Sequence, residues 1–245
     1  MTTSRLAHGA RGAAALLANA TTTLGLPGAA RAHDDLPPAI EVVGARARGP
    51  QPWLVTAGLR TALFRSAGYD PFSTNDAFPQ FSVNATWAYR TGGALETAVG
   101  VSFDAGGASA QARGSDASLS LDRLAALVEE RYAFGAVAYA FARLSPGWLT
   151  GKATLSDPSI PAPLESAFST FSLDASAGGA ACLRPRSAHV RIWLVADGGY
   201  GWAPTQHLAL APALPASDRD KAGTTSLSDF APRGVFFRGA VALGF

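Results

Sequence analysis

The sequence predicts an all-β chain folded as an eight-stranded antiparallel up-and-down transmembrane β-barrel, and three observations carry that expectation. First, the last twelve residues, Gly234–Phe245 (GVFFRGAVALGF), place Phe237, Gly239, Val241, Leu243 and Phe245 on one face, with Phe236, Arg238, Ala240, Ala242 and Gly244 on the other. That is the period of a strand. Second, eight segments of this kind can be placed along the chain, the even number that a closed single-chain barrel has. Third, no stretch of about 18 apolar residues follows the N-terminal run, so insertion into a bilayer would have to use strands.

Each strand has its own signature. Trp53–Ser66 is the first and carries Arg60 inward. Pro79–Thr91 alternates most cleanly: Phe81, Val83, Ala85, Trp87 and Tyr89 face out, while Gln80, Ser82, Asn84, Thr86 and Arg90 face in. In the third, Leu95, Thr97, Val99, Val101 and Phe103 oppose Glu96, Ala98, Gly100, Ser102 and Asp104. The fourth, Ser118–Tyr132, contains LDRLAALVEER, which also fits a helix through Leu121, Leu124, Ala125 and Val128. Strand is preferred, because Leu124, Ala126 and Val128 can face lipid while Arg123, Glu129 and Arg131 face inward. The fifth, Ala136–Ser145, has an open phase, since Val137, Tyr139 and Phe141 share a face with Arg143. Ser169–Ala181, Ala188–Trp202 and the closing strand complete the set.

The connections alternate in length. Those after strands two, four and six are short (TGG, AFG, RPRS). Those after strands one, three, five and seven, roughly Ala67–Phe78, Ala105–Ala117, Pro146–Phe168 and Ala203–Arg233, are long and rich in Gly, Pro, Ser and Asp. Short periplasmic turns opposite long extracellular loops are the asymmetry of a transmembrane barrel. The last loop carries Asp218-Arg219-Asp220-Lys221, which reads as a mobile surface tip. Trp53, Trp87, Tyr89, Trp148, Tyr200 and Trp202 lie toward strand ends, where indoles and phenols suit a lipid–water boundary.

At the N-terminus, Arg5 and Arg11 precede the small, apolar run GAAALLANATTTLGLPGAA, and Ala30-Arg31-Ala32 is followed by His33-Asp34-Asp35. Residues 1–32 are therefore expected to be a cleaved signal peptide. No cysteine stands at the cleavage point, which argues against a lipoprotein. Residues 33–51 read as a periplasmic linker; within it Ile40-Glu41-Val42-Val43-Gly44 faintly resembles a TonB box. Cleavage takes Arg5, Arg11 and Arg31 from the 20 bases and none of the 18 acids, for a net charge of −1. The basic whole-chain isoelectric point thus gives no support to nucleic-acid binding. Cys182 is alone, so a closed hydrogen-bond network rather than a disulfide must hold the fold.

The terminal Phe245, preceded at alternate positions by Leu243, Val241, Gly239 and Phe237, resembles the C-terminal sorting signal of Gram-negative outer-membrane barrels. With the signal peptide, the eight strands and the loop asymmetry, the pattern over residues 52–245 resembles the small eight-stranded outer-membrane proteins of the OmpA transmembrane domain, OmpX and OmpW kind. That resemblance implies residence in the cell outer membrane, contact with its lipid, recognition of the last strand by the barrel-assembly machinery, and a structural, adhesion or surface-interaction role.

The projected interior holds Arg60, Arg90, Glu96, Asp104, Arg123, Glu129, Arg131, Asp174, Arg191, Asp197 and Arg238, six bases against five acids. An eight-stranded barrel is only wide enough to be filled by side chains, so this set is expected to pack as an ion network and not to line a pore. Enzymatic activity is not expected. The mature chain has His33, His189 and His207 in linker, turn and loop, none beside a Ser or Asp in a spacing that specifies a nucleophile, and such a site is decided only in three dimensions. Asp70, Asn75 and Asp76 could offer oxygens to calcium, but GYDPFSTNDAFP lacks the EF-hand pattern, and Asx-type turns explain them better. No cofactor motif is present. The alternatives are a soluble lipocalin-like carrier, a narrow channel for small hydrophobic molecules, and a lipid-modifying outer-membrane enzyme. The carrier would display lysines outside, yet Lys152 and Lys221, the only two, fall in the expected loops.

Overall fold

The computed structural model describes residues 51–92, 94–112, 114–159, 162–183, 190–213 and 224–245. The expected signal peptide, residues 33–50 of the linker, the Asp218–Lys221 tip and His189 lie outside them. Among the described residues there are ten strands: β1 Trp53–Leu63, β2 Ala77–Gly92, β3 Leu95–Ala112, β4 Ser115–Ala133, β5 Ala138–Ser156, β6 Leu164–Cys182, β7 Arg191–Trp202, β8 Gln206–Pro212, β9 Thr225–Phe230 and β10 Gly234–Gly244. Every pairing is antiparallel. The sheet order runs β5-β4-β3-β2-β1-β10-β7-β6, and β5 also pairs with β6, which closes eight staves into a barrel. β1 and β10 seal the seam from Leu54↔Gly244 to Ala62↔Phe236, and Phe245 and Trp53 exchange backbone hydrogen bonds of 3.0 and 3.2 Å. No helix among the described residues is long and apolar enough to cross a membrane.

The segment Ser118–Tyr132 is strand and not helix: in β4, Arg123, Glu129 and Arg131 are buried while Leu124 and Val128 are exposed. Period two wins because opposite faces of this stave meet opposite environments.

The largest departures from the expected boundaries lie at the long-loop end. Ala105–Ala112 continues β3 and pairs with Ser115–Asp122, leaving a tight turn around Gly114 (φ 87°) where a loop was expected. A positive φ of that size suits glycine, which has no Cβ to clash. Pro146–Ser156 continues β5 and Leu164–Phe168 begins β6, so most of the third long loop is also ladder. Lys152, expected in a loop, stands on β5 and pairs with Glu165 at 2.9 Å. The fourth loop contains the β8–β9 hairpin, joined to β6 at Leu164↔Pro212 and Glu165↔Ala211. These extensions read as loop because many of their outward residues, among them Ser109, Gln111, Thr150 and Thr154, are polar.

The extended ends of β3–β6 have an apolar inner face, which the first loop and the hairpin cover. Leu119, Leu121, Leu149 and Leu164 join Phe64, Tyr69, Phe72, Phe78, Leu208, Leu210 and Phe230 in one buried cluster. Phe64 meets Tyr69, Phe78 and Phe230 with ring centroids 5.5, 5.4 and 5.7 Å apart. Each such pair contributes about 0.5–1.5 kcal/mol beyond its buried area. The Tyr69 hydroxyl donates to the Ala77 carbonyl at 2.8 Å. Burial raises the Tyr69 pKa above its ordinary value, Ser73 opposes the shift and Asp76 adds to it. The loop side is therefore a packed cap.

Candidate functional site

The strand period sorts side chains into two sets. Outward, Trp53, Leu59, Phe81, Trp87, Tyr89, Val99, Val101, Phe103, Leu124, Val128, Tyr132, Leu144, Trp148, Phe171, Leu194, Tyr200, Trp202 and Val235 are exposed. On β10, Phe237, Val241 and Leu243 face out, and Phe245 beyond its end is exposed as well. All eight staves contribute to this belt. β1 and β10, 11 residues each, run its full height. The six aromatics expected at the boundary all face outward, and Trp53, Trp87 and Tyr89 form a contiguous group at the short-turn end, with centroids 6.5 and 5.9 Å apart. Beyond the belt, toward the cap, the outer face turns polar.

Inward, the barrel is filled in layers. At the short-turn end Leu54, Tyr139, Phe141, Ala180, Trp193, Val195 and Ala242 form an apolar plug. Above it lies a charged layer, and above that the apolar cluster of the cap. Among the described residues the buried charges are Arg60, Arg123, Arg131, Arg143 and Arg238 against Glu96, Asp104, Glu129, Asp174 and Asp197. Five bases meet five acids. Nine of the eleven residues projected inward from the sequence are in this set. Arg191 is half-buried at the start of β7, below Trp193 and Val195, and the side chain of Arg90 lies outside the described residues.

The charges form two linked groups. Toward the cap, Arg60 bridges Asp104 and Asp174 at 3.0 and 2.9 Å, and Arg123 bridges the same two carboxylates at 3.1 Å each. Arg123 also donates to Ser172 Oγ at 3.0 Å and to the Ser145 carbonyl. Toward the plug, Glu129 accepts from Arg131 at 2.6 Å and from Arg143 Nε at 2.7 Å, and Arg143 reaches Asp197 at 3.4 Å. Arg238 binds Asp197 bidentately, Nε to Oδ1 at 2.9 Å and NH2 to Oδ2 at 2.5 Å, and touches Ser82 Oγ at 3.3 Å. Thr86 Oγ1 accepts from Arg131 at 2.7 Å.

Arginines at the borders of the layer also stack on aromatic rings of the apolar layers. The Arg60 guanidinium lies 4.1 Å from the Phe236 centroid, Arg143 4.9 Å from Phe141, and Arg131 5.5 Å from Tyr139. At Gly201 a Cβ would stand 2.8 Å from Asp174 Oδ1 and 3.3 Å from Arg60 NH2, so a side chain there would have to displace this pair. A cavity of about 30 Å³ remains between Arg60, Gln80, Arg123, Ser172, Asp174 and their apolar neighbours. That is room for bound water and for little else.

Arg143 was missing from the projected interior. On the fifth strand Tyr139, Phe141 and Arg143 do share a face, and that face is inward, with Val137 exposed beyond the strand. The signal was present in the sequence as the charge on Arg143, which outweighs two aromatics when one face must meet hydrocarbon. In the first loop, Asn75 Oδ1 accepts from the Ala77 amide at 3.0 Å, an Asx turn, while Asp76 lies 3.8 Å from Arg65. No group of three His, Cys, Asp or Glu side chains that could hold a metal occurs among the described residues.

No protein-family model matches the sequence, and no curated protein matches it. Among solved structures the chain is similar to Ail, the attachment invasion locus protein of Yersinia pestis, in complex with the heparin analogue sucrose octasulfate. The TM-score is 0.46 at 13% identity, over 79% of this chain and 97% of that one. It is also similar to Neisserial surface protein A, with a TM-score of 0.44 at 14% identity over 81% and 100% of the two chains. The barrel assignment rests on the closed ladder of strand pairs.

Proposed function

We propose that this chain is an integral outer-membrane protein with a structural, adhesion or surface-interaction role, its lumen sealed and its capped end presented to the outside. The outward belt carries the reading. A continuous apolar surface around all eight staves is far larger than the few hundred Å² that a soluble monomer leaves exposed. Its height on β1 and β10 matches the roughly 9–11 residues a tilted strand needs to cross hydrocarbon. On this reading the Trp53–Trp87–Tyr89 group marks the periplasmic boundary, the outward face of β10 is what the assembly machinery recognises, and β3–β6 rise from the membrane with a polar outer face.

A closed lumen favours surface interaction over transport. The charged layer is neutral and internally paired, and an apolar layer lies on each side of it, so an ion would have to break buried pairs to pass. Nor does a cavity of about 30 Å³ hold a small hydrophobic ligand. We read the barrel itself as non-catalytic, since none of its eight staves contains a histidine. The full-length protein reconstituted into planar bilayers in molar potassium chloride is expected to give no conductance steps. Regular steps from protein purified to homogeneity would contradict the sealed lumen and favour the channel.

A further inference from the structure

We propose that Ser226, His207 and Asp229 form an acyl-transfer centre on the exposed face of the β8–β9 hairpin, with Ser226 as nucleophile and carboxylic esters as the substrate class. This inference does not depend on the surface-interaction reading, because the hairpin is the same whichever solvent it faces. The geometry is that of a nucleophile, a base and an orienting carboxylate. His207 Nδ1 lies 2.9 Å from Asp229 Oδ1, and His207 Nε2 lies 3.1 Å from Ser226 Oγ. With the carboxylate accepting at Nδ1, that nitrogen carries the proton and Nε2 is left to accept from the serine.

The backbone brings the three together by a specific device. His207 pairs directly with Asp229, and Ala209 pairs with Ser226, so the single residue between them on β8, Leu208, is matched by two on β9, Leu227 and Ser228. That is a β-bulge, and it re-aims a side chain. Without it Leu227 would stand opposite Ala209, and Ser226 would point to the other face. The bulge puts Ser226 on the side of His207. The opposite face of the hairpin is fixed: Leu208, Leu210 and Phe230 are fully buried in the cap. A constellation built on strands with such an anchored reverse side is held in register.

The chemistry follows from the arrangement. Ser226 Oγ attacks the ester carbonyl as its proton passes to His207 Nε2, forming the Oγ–C bond and placing the negative charge on the former carbonyl oxygen. β9 ends the strand order among the described residues, and the backbone amides of its outer edge beside Ser226 are assigned as the donors to that oxygen. Collapse breaks the C–O bond to the leaving alcohol, which takes the proton from His207. Water activated by the same imidazole then releases the acid and restores Ser226.

Exposure sets the substrate class. His207 and Asp229 side chains are 63% and 68% exposed, so the carboxylate supports the imidazolium through water and does so weakly. Esters with good leaving groups fit that limit, and amides do not. The fold of a variant is not at risk, because all three residues lie on a solvent face.

The test uses the full-length folded protein in detergent micelles, with a fluorophosphonate probe and p-nitrophenyl butyrate. The wild type is expected to carry the phosphonyl adduct on the peptide containing Ser226 and to hydrolyse the ester. Ser226→Ala and His207→Gln are each expected to lose the adduct and to slow hydrolysis by roughly 100-fold, the ordinary worth of a positioned base. In a Ser226→Cys variant, iodoacetamide should alkylate position 226 faster with His207 present than with His207→Gln. A wild type with no adduct on Ser226 would overturn the proposal. So would hydrolysis that survives Ser226→Ala but not His207→Gln, which would make the imidazole alone the catalyst.

Discussion

Replacing Asp197 by leucine is expected to destabilise the folded barrel by about 3–5 kcal/mol, the cost of leaving a buried charge without its partner. Asp197 holds Arg238 through two parallel bonds and also receives Arg143 at 3.4 Å and Ser176 Oγ at 3.2 Å. Arg143 keeps Glu129 when Asp197 is gone, but Arg238 keeps only the neutral oxygens of Ser82 and Asn84, at 3.3 and 3.5 Å. The double variant Asp197→Leu with Arg238→Met should recover much of the loss, because removing both members of a buried pair spares the desolvation of each. Urea titration in detergent micelles reads the difference. The loss should change little with added salt, since buried pairs are poorly screened. A single variant with an unchanged midpoint, or a double variant as unstable as the single, would show that these charges do not act as one network.

An arginine placed at position 241 should cost about 2–4 kcal/mol in lipid, whereas one placed at position 118 should cost less than 1. Both side chains point away from the barrel. Val241 stands on β10 within the apolar belt, while Ser118 stands on the extension of β4, where the outer face has turned polar. In water the two substitutions would be equivalent surface changes within about 0.5 kcal/mol of neutral. Refolding into bilayer vesicles under graded denaturant separates the cases. Equal and small effects of Val241→Arg and Ser118→Arg would mean that the belt does not meet hydrocarbon.

How much of this was legible in the sequence depended on where two environments meet across one strand. Along Phe81–Trp87 the outward residues Phe81, Val83, Ala85 and Trp87 are apolar for lipid and the alternate Ser82, Asn84 and Thr86 are polar for the interior, and on the next two strands inward charges such as Glu96, Asp104, Arg123 and Glu129 mark the same division, so both face and register could be read. Above the belt that contrast fades. Gly106–Ala112 (GGASAQA) and Lys152–Ser156 have small or polar outward residues, which is also the composition of loops, and only their ladders with β4 and β6 show them to be strand.

Aromatic residues misled in the other direction. Tyr139 and Phe141 point inward because the short-turn end of the lumen is closed by an apolar plug, a layer that a wholly charged interior did not anticipate. Ser226, His207 and Asp229 had no sequence signal, since their approach depends on one extra residue in β9. The residues that fill the charged layer were readable one strand at a time. Their pairing was not, because partners such as Arg60 and Asp174 come from staves that are not neighbours.

The most direct measurement is the gel mobility of the protein recovered from isolated outer membranes, loaded unheated and after boiling in SDS. A closed barrel embedded in the membrane gives a faster band unheated and a slower, fully extended band after boiling, with the protein retained in the membrane pellet through a urea wash. Recovery in the soluble fraction with a single, heat-independent mobility would contradict a membrane-embedded barrel.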